Sequence, residues 1–155
     1  MTKISETAFE EIVIITLEKI AFLLMEPVPT VECPSKLPMQ TRIQFEGPLS
    51  RGSAHFFADE SFAKEMASGF LGVEPEDVST EDAQGAMKEF ANMIAGELVL
   101  QLGAREDEFY LGLPEIVKPG SVDLNTPEKG ESLLFHFEGD EGHLSCKVNL
   151  ISTSP

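Results

Sequence analysis

The chain has 155 residues, of which 42% are hydrophobic and 25% are charged, as is ordinary for one globular domain. Its formal net charge of −16, with only 11 lysines and arginines, argues against binding to nucleic acid or to anionic membranes. The negative charge can also serve solubility alone. We therefore interpret residues 1–155 as a single domain that binds neither nucleic acid nor a membrane.

The N-terminal region and the two cysteines indicate a cytoplasmic protein. Glutamates precede the first apolar stretch, where a secretory signal would carry basic residues. That stretch, Ile12 to Met25, is too short to cross a bilayer core of about 30 Å and is interrupted by charges. Cys33 and Cys146 imply no disulfide framework, and we expect both to be reduced.

The first predicted element is a helix that begins after the N-cap Ser5 and ends near Met25, before Pro27 and Pro29. A proline-containing loop, Val28 to Pro38, is expected to follow it.

Thr41 to Ala58 is predicted to form a β-hairpin, because apolar and polar residues alternate on both sides of a turn at residues 47–52. A short helix then begins after Asp59 or Ser61 and runs to about Phe70.

A helical turn at residues 74–77 leads into a long helix that is capped by Ser79 or Thr80 and ends at Gly103. Glu108 to Val117 is a strand candidate, in which Pro114 indicates a break or a sheet edge.

After a loop from Lys118 to Gly130, residues 133–150 show the alternation typical of a second hairpin, with its turn at residues 138–142. The order of elements predicts an α+β fold in which the helices pack on one face of a mostly antiparallel sheet. The order also indicates a loose duplication, since each half contains a long helix followed by a hairpin.

The long helix has two distinct faces on a helical wheel. One face is apolar and is expected to contact the core: Ala83, Met87, Phe90, Ala91, Ile94 and Leu98. The opposite stripe contains Gly85, Glu89, Asn92 and Gly96. An interior glycine costs about 1 kcal/mol relative to alanine, so the stripe is unusual for a merely solvated surface. Spacing alone leaves two interpretations open: either the glycines fit neighbouring elements, or they admit a partner.

The run from Asp82 to Gly96 resembles the signature helix of the CheC/CheX chemotaxis phosphatase family. That signature has an early aspartate, then Glu-x-x-Asn, an apolar pair and a glycine. The stretch from Glu89 through Asn92 to Gly96, with Met93 and Ile94 as the apolar pair, fits the last three features. The length of the chain and its order of elements also resemble CheX, which keeps one active copy of the helix.

This resemblance implies a phosphatase that acts on the aspartyl phosphate of a CheY-like response regulator. Asn92 would position the attacking water, and Glu89 would contact the active-site lysine of the regulator. Gly85, Lys88 and Gly96 would contact the same partner. The regulator would carry the Mg²⁺, so the chain would need no cofactor of its own. CheX-like proteins can also be homodimers. The alternative is a non-catalytic adaptor of the same fold that binds a response regulator or a flagellar partner.

Two charged residues depart from the family pattern: Lys88 precedes the motif glutamate, and Glu97 follows the motif glycine. Both can alter which regulator is accepted. In the first helix, Glu18 would correspond to Glu89, but Ala21 stands where the asparagine would be, which indicates that this helix is not catalytic. An ordinary core helix with two outward charges is an equally good interpretation.

The sequence contains no other pattern that indicates catalysis. It has no Gly-rich phosphate loop, no Cys-x-x-Cys, no His-Glu-x-x-His and no Gly-x-Ser-x-Gly. His55, His136 and His143 are scattered, and we interpret them as surface or half-buried histidines. No metal site is predicted.

Overall fold

The computed structural model describes residues 5–29, 37–47, 50–102, 109–118, 130–140 and 142–152. Its helices are α1 (Glu6–Ala21), α2 (Glu60–Leu71) and α3 (Thr80–Gln101), with a 3-10 turn at Pro75–Asp77. Its strands are β1 (Glu26–Pro27), β2 (Met39–Glu46), β3 (Ser50–Ala58), β4 (Tyr110–Leu111), β5 (Glu115–Val117), β6 (Glu131–Gly139) and β7 (Gly142–Ser152). No helix within these ranges is long and apolar enough to cross a membrane.

The strands form one sheet in the order β1-β6-β7-β3-β2-β4, and β5 also pairs with β2. Every pairing is antiparallel. The hairpins β2–β3 and β6–β7 meet at the central β3–β7 pair, so each half of the chain contributes one hairpin preceded by helix. The predicted α+β fold with its duplicated order is confirmed.

The core lies between the helices and one face of the sheet. Ile43, Ala54 and Val148 stand side by side in the register of β2, β3 and β7, and all three are buried. The ring of Phe90 on α3 meets the ring of Phe56 on β3, with their centroids 5.3 Å apart. These contacts hold α3 against the sheet and leave its opposite side outside.

The other face of the sheet is also buried in its central part, which corrects the interpretation of two histidines. His55 and His136 are only 5% and 7% exposed, whereas we expected them at or near the surface. Alternation along β3 and β6 turns both away from the helices, and Ser145 and Lys147 are buried on the same face. Burial lowers the pKa of His136, whose Nδ1 lies 2.7 Å from the hydroxyl of Ser145. His143 is half-buried, as expected.

Helix α1 ends earlier than the sequence indicated. Ser5 caps its start as predicted, accepting a hydrogen bond from the backbone N–H of Ala8. Its last residue is Ala21 rather than a residue near Met25, because Phe22 adopts the left-handed conformation with φ 58°. The chain then bends so that Met25 is buried and the short strand β1 pairs with β6. The apolar residues beyond Ala21 are therefore used in packing outside the helix.

The connections around the first hairpin also differ from the prediction. Strand β3 begins at Ser50, so Gly52 is paired with Phe45 instead of lying in a turn. Asp59 occupies the N-cap position of α2 without capping it. Its carboxylate instead accepts a hydrogen bond from the backbone N–H of His143 at 3.0 Å, which links α2 to β7.

The remaining predicted elements are confirmed where the structure describes them. The strand candidate ending at Val117 is broken into β4 and β5, which both pair with β2 on either side of Pro114. Cys146 is a buried free thiol, and burial raises its pKa well above the usual value. Cys33, Gly103, Glu108 and residues 119–129 lie outside the described residues.

Candidate functional site

The candidate site lies on α3, a helix of 22 residues with a well-defined start. The hydroxyl of Ser79 accepts a hydrogen bond from the backbone N–H of Asp82 at 3.0 Å. The carboxylate of Asp82 in turn accepts one from the backbone N–H of Ser79 at 3.4 Å. This reciprocal capping box stabilises the first turn. Asp82, the early aspartate of the motif, therefore stabilises the start of the helix.

One side of α3 is buried along its whole length. Every residue predicted for the core face is at most 1% exposed: Ala83, Met87, Phe90, Ala91, Ile94 and Leu98. This burial fixes the rotation of the helix about its axis, because turning it would expose aromatic and aliphatic side chains. The polar stripe is consequently held outward by the core.

Glu89 and Asn92 are both exposed neighbours on that outward stripe. Three residues apart on a helix, their Cβ atoms lie about 5–6 Å from each other. In the described part of the chain, neither side chain has a hydrogen-bond or ion-pair partner. Phe90 and Ile94, which follow these two residues by one and two positions, are fully buried on the inner side of the helix. A carboxylate and a carboxamide are thus presented together, on a rigid support and without internal partners.

The two glycines of the stripe are not required by packing against the described part of the molecule. A Cβ added at Gly85 would meet no atom within 4 Å, apart from the backbone of its own helix turn. A Cβ at Gly96 would meet only Leu111 Cδ1, at 3.9 Å, which is an ordinary contact distance. Of the two interpretations left open by the sequence, the fit to neighbouring elements is therefore not supported. The position of Leu111 on the edge strand β4, beside Gly96, had no signal in the sequence.

The outer surface of α3 is strongly acidic. Four carboxylate side chains on this helix are exposed: Glu81, Asp82, Glu89 and Glu97. Lys88 is the single basic residue of α3 and is also exposed. A partner that approaches this surface must therefore tolerate or compensate negative charge.

The first helix does not offer an equivalent surface. Glu18 is exposed, but Ala21, at the position that corresponds to Asn92, is buried. Helix α2 approaches closely there, since a Cβ added at Gly69 would lie only 2.5 Å from Ala21 Cα. The prediction that this helix is not the catalytic one is therefore consistent with its packing.

No group of three or more histidine, cysteine, aspartate or glutamate side chains could hold a metal ion within the described ranges. Asp59 and His143 lie 3.2 Å apart but link α2 to β7, away from the α3 stripe.

Comparison with known proteins identifies the family. Residues 39–138 match the family model described as chemotaxis phosphatase CheX. The chain belongs to the CheX family. The matched region includes the central β2–β3 hairpin and all of α3, with Glu89 and Asn92.

Solved CheX structures share the fold over nearly the whole chain. The chemotaxis protein CheX from Vibrio vulnificus is 20% identical, with a TM-score of 0.73, and the match covers 94% of this chain and 95% of that one. A CheC-like chemotactic protein from Shewanella oneidensis is 19% identical, with a TM-score of 0.72 and coverage of 94% and 97%. CheX in the CheX-CheY-BeF3-Mg complex from Borrelia burgdorferi is 19% identical, with a TM-score of 0.68 and coverage of 96% and 99%. No curated protein matches this chain in sequence.

Proposed function

We propose that the chain hydrolyses the aspartyl phosphate of a CheY-like response regulator, with Asn92 and Glu89 as the residues that act on the bound regulator. The observation that carries this proposal is the exposed Glu89–Asn92 pair on a helix whose flanking glycines leave open space. Membership of the CheX family supports the reaction class. The Borrelia burgdorferi complex with CheY supports the kind of partner.

The reaction needs little covalent chemistry from this chain. The oxygen of a water molecule forms a bond to phosphorus while the bond from phosphorus to the aspartyl oxygen breaks. The aspartate leaves as a carboxylate, and the proton lost by the water ends on the released phosphate. Catalysis of phosphoryl transfer rests mainly on positioning and on compensation of charge. In this proposal the regulator supplies Mg²⁺ and a lysine beside the phosphoryl oxygens, and this chain supplies the position of the water.

Asn92 suits the positioning of water because a carboxamide both donates and accepts hydrogen bonds and does not titrate near neutral pH. Its amide is not engaged within the described molecule, so it is available to a water that enters with the partner. The burial of Phe90 and Ile94 keeps the helix from rotating, which holds the amide in one direction.

Glu89 suits a contact with the lysine of the regulator. A charge-assisted hydrogen bond between a carboxylate and an ammonium group sets the register of two surfaces. Glu89 lies one helical turn from Asn92, so this contact would place the amide over the phosphoryl group.

The glycines extend the proposed contact surface along α3. From Gly85 to Gly96 the helix rises about 16 Å, at 1.5 Å per residue. Without side chains at its two ends, this strip lets the partner approach the helix backbone closely. The same surface also fits a non-catalytic adaptor, so the variants below are chosen to separate binding from turnover.

The test measures phosphate release and binding with the same set of variants. In a folded Asn92→Ala variant, regulator binding should stay within about twofold while turnover falls by at least about 100-fold, because only the position of the water is lost. Glu89→Ala should weaken binding by about tenfold, and salt should partly reproduce this loss by screening the pair.

Glu18→Ala is the matched control, since it removes an exposed carboxylate from α1, the helix that lacks the asparagine. It should leave both binding and turnover within about twofold of the unmodified chain. Full turnover by Asn92→Ala would contradict the mechanism. Binding without any acceleration of dephosphorylation by the unmodified chain would establish the adaptor instead.

A further inference from the structure

Lys88 is the one cation on the acidic outer surface of α3, and it is available for binding. The helix offers it no acidic residue at the spacing that forms ion pairs, because the positions three and four residues away are Gln84, Gly85, Ala91 and Asn92. The described structure shows no ion pair for this residue.

Lys64 on α2 shows the contrasting arrangement. It has Glu60 four residues before it, and its ammonium group lies 3.2 Å from that carboxylate. This half-buried lysine is thus paired within its own helix, where a glutamate is present at that spacing. At Lys88 the corresponding residue is Gln84, so its own helix supplies no such carboxylate.

The position of Lys88 brings its ammonium group within reach of whatever Asn92 contacts. The two residues are four apart, so their Cβ atoms lie about 5–6 Å from each other on the same side of the helix. Helical side chains point back over the preceding turn, which here carries Gly85. Apart from the backbone of the helix itself, no atom lies within 4 Å of a Cβ placed at Gly85, so this space is open.

The surrounding charge decides what this cation can do. A phosphoryl group is an anion, and α3 presents it with the exposed carboxylates of Glu81, Asp82, Glu89 and Glu97. Without a compensating cation, the phosphorylated partner would be repelled more strongly than the unphosphorylated one. An ammonium group beside the amide of Asn92 acts in the opposite direction, because it attracts the partner most strongly when the phosphoryl group is present.

We propose that Lys88 binds the phosphoryl oxygens of the regulator and makes the chain prefer the phosphorylated form over the unphosphorylated product. This inference rests on the proposed function, since it places the phosphoryl group at Asn92. Lys88 is then a residue that determines specificity for the phosphorylated regulator. Its contact is lost when phosphate departs, so Lys88 does not retain the dephosphorylated regulator.

The test compares binding to two forms of one CheY regulator, chosen because the chain accelerates its dephosphorylation. One form is unmodified, and the other carries beryllofluoride and Mg²⁺ as a stable mimic of the aspartyl phosphate. Dissociation constants are measured for the unmodified chain, Lys88→Gln, Lys88→Arg and Lys19→Gln. Lys19 is an exposed lysine in the last turn of α1, so its replacement changes the net charge equally on another helix.

In Lys88→Gln, the ratio of the affinities for the beryllofluoride form and the unmodified form should fall about tenfold. The affinity for the unmodified regulator should change by less than about twofold. Lys88→Arg should keep the preference, and Lys19→Gln should not change the ratio of the two constants. An unchanged ratio in Lys88→Gln, or an equal loss for both forms, would overturn the proposal. Circular dichroism checks that each variant is folded.

The role of Lys88 can be tested separately from the proposed function, because binding of the beryllofluoride form of the regulator requires no hydrolysis. Asn92→Ala should retain the whole preference. If no CheY regulator is dephosphorylated faster in the presence of the chain, the proposed function itself fails. If a regulator is dephosphorylated but Lys88→Gln leaves the ratio unchanged, only the role of Lys88 is wrong.

Discussion

Replacing the glycines of the α3 stripe with alanine should stabilise the free protein and weaken its binding to the regulator. A glycine inside an exposed helix costs about 1 kcal/mol relative to alanine. The new methyl group would meet no atom within 4 Å at Gly85, and only Leu111 Cδ1, at 3.9 Å, at Gly96. No steric clash in the described structure offsets the gain in helix propensity. Each single variant should therefore raise the free energy of unfolding by about 1 kcal/mol, or the melting temperature by about 2–4 °C.

The binding effect should have the opposite sign. If the partner lies against the helix backbone, a methyl group at either end of the strip separates the two surfaces and breaks contacts that depend on close approach. Thermal unfolding followed by circular dichroism measures the first effect, and titration with the beryllofluoride-bound regulator measures the second. A gain in stability with undiminished binding would show that Gly85 and Gly96 do not face the partner. A loss of stability would show that the open space beside them is not available.

Gly69→Ala is the matched control, because this glycine is also helical but is packed against a neighbour. Its added Cβ would lie 2.5 Å from Ala21 Cα, so the backbone of α1 or α2 must shift. Gly69→Ala should therefore destabilise the protein, although the intrinsic helix propensity changes in the same direction as at Gly85. The contrast between Gly69→Ala and Gly85→Ala separates the effect of steric room around the new methyl group from the effect of helix propensity.

Two further predictions concern stability. Phe22→Gly should raise the free energy of unfolding, measured in urea, by about 1 kcal/mol. Phe22 holds a left-handed conformation that costs a residue with a Cβ about 1–2 kcal/mol, and its side chain, 83% exposed, contributes little packing. A decrease in the free energy of unfolding would show that the packing of this ring stabilises the protein. Burial lowers the pKa of His136 below its usual 6.5, so the unfolded chain binds this proton more readily and stability should be lost as the pH falls below that value. Between about pH 7 and pH 5, the free energy of unfolding in urea should fall less for His136→Gln than for the unmodified chain. An equal dependence on pH in the two proteins would contradict this role of His136.

Much of α3 was determined by its sequence, because the relevant interactions are local. Its start depends on a hydrogen-bonded exchange between Ser79 and Asp82, three residues apart. Its inner and outer faces follow from the period of the helix, which alone separates Phe90 and Ile94 from Glu89 and Asn92. The alternation in both hairpins is equally local, and so their strands were predicted from a period of two.

Elements that depend on distant partners were not predictable in this way. The apolar residues beyond Ala21 continue a helical pattern, yet the helix ends there, Phe22 turns left-handed and β1 joins β6. The burial of His55 and His136 likewise depends on a second covered face of the sheet, which the alternation of single strands does not reveal.

For the site, the sequence determined which side chains share one outward stripe, whereas tertiary structure decided what surrounds them. The cost of Gly85 and Gly96 could be read from the sequence, but whether neighbouring elements required them could not. That distinction needs the positions of atoms from other elements, such as Leu111 on an edge strand 15 residues after Gly96. The sequence also showed that Lys88 has no acidic residue at helical spacing, and only the folded chain excludes an ion pair with the other described elements. Helical periodicity acts within one element, while steric room and charge compensation depend on every element packed nearby.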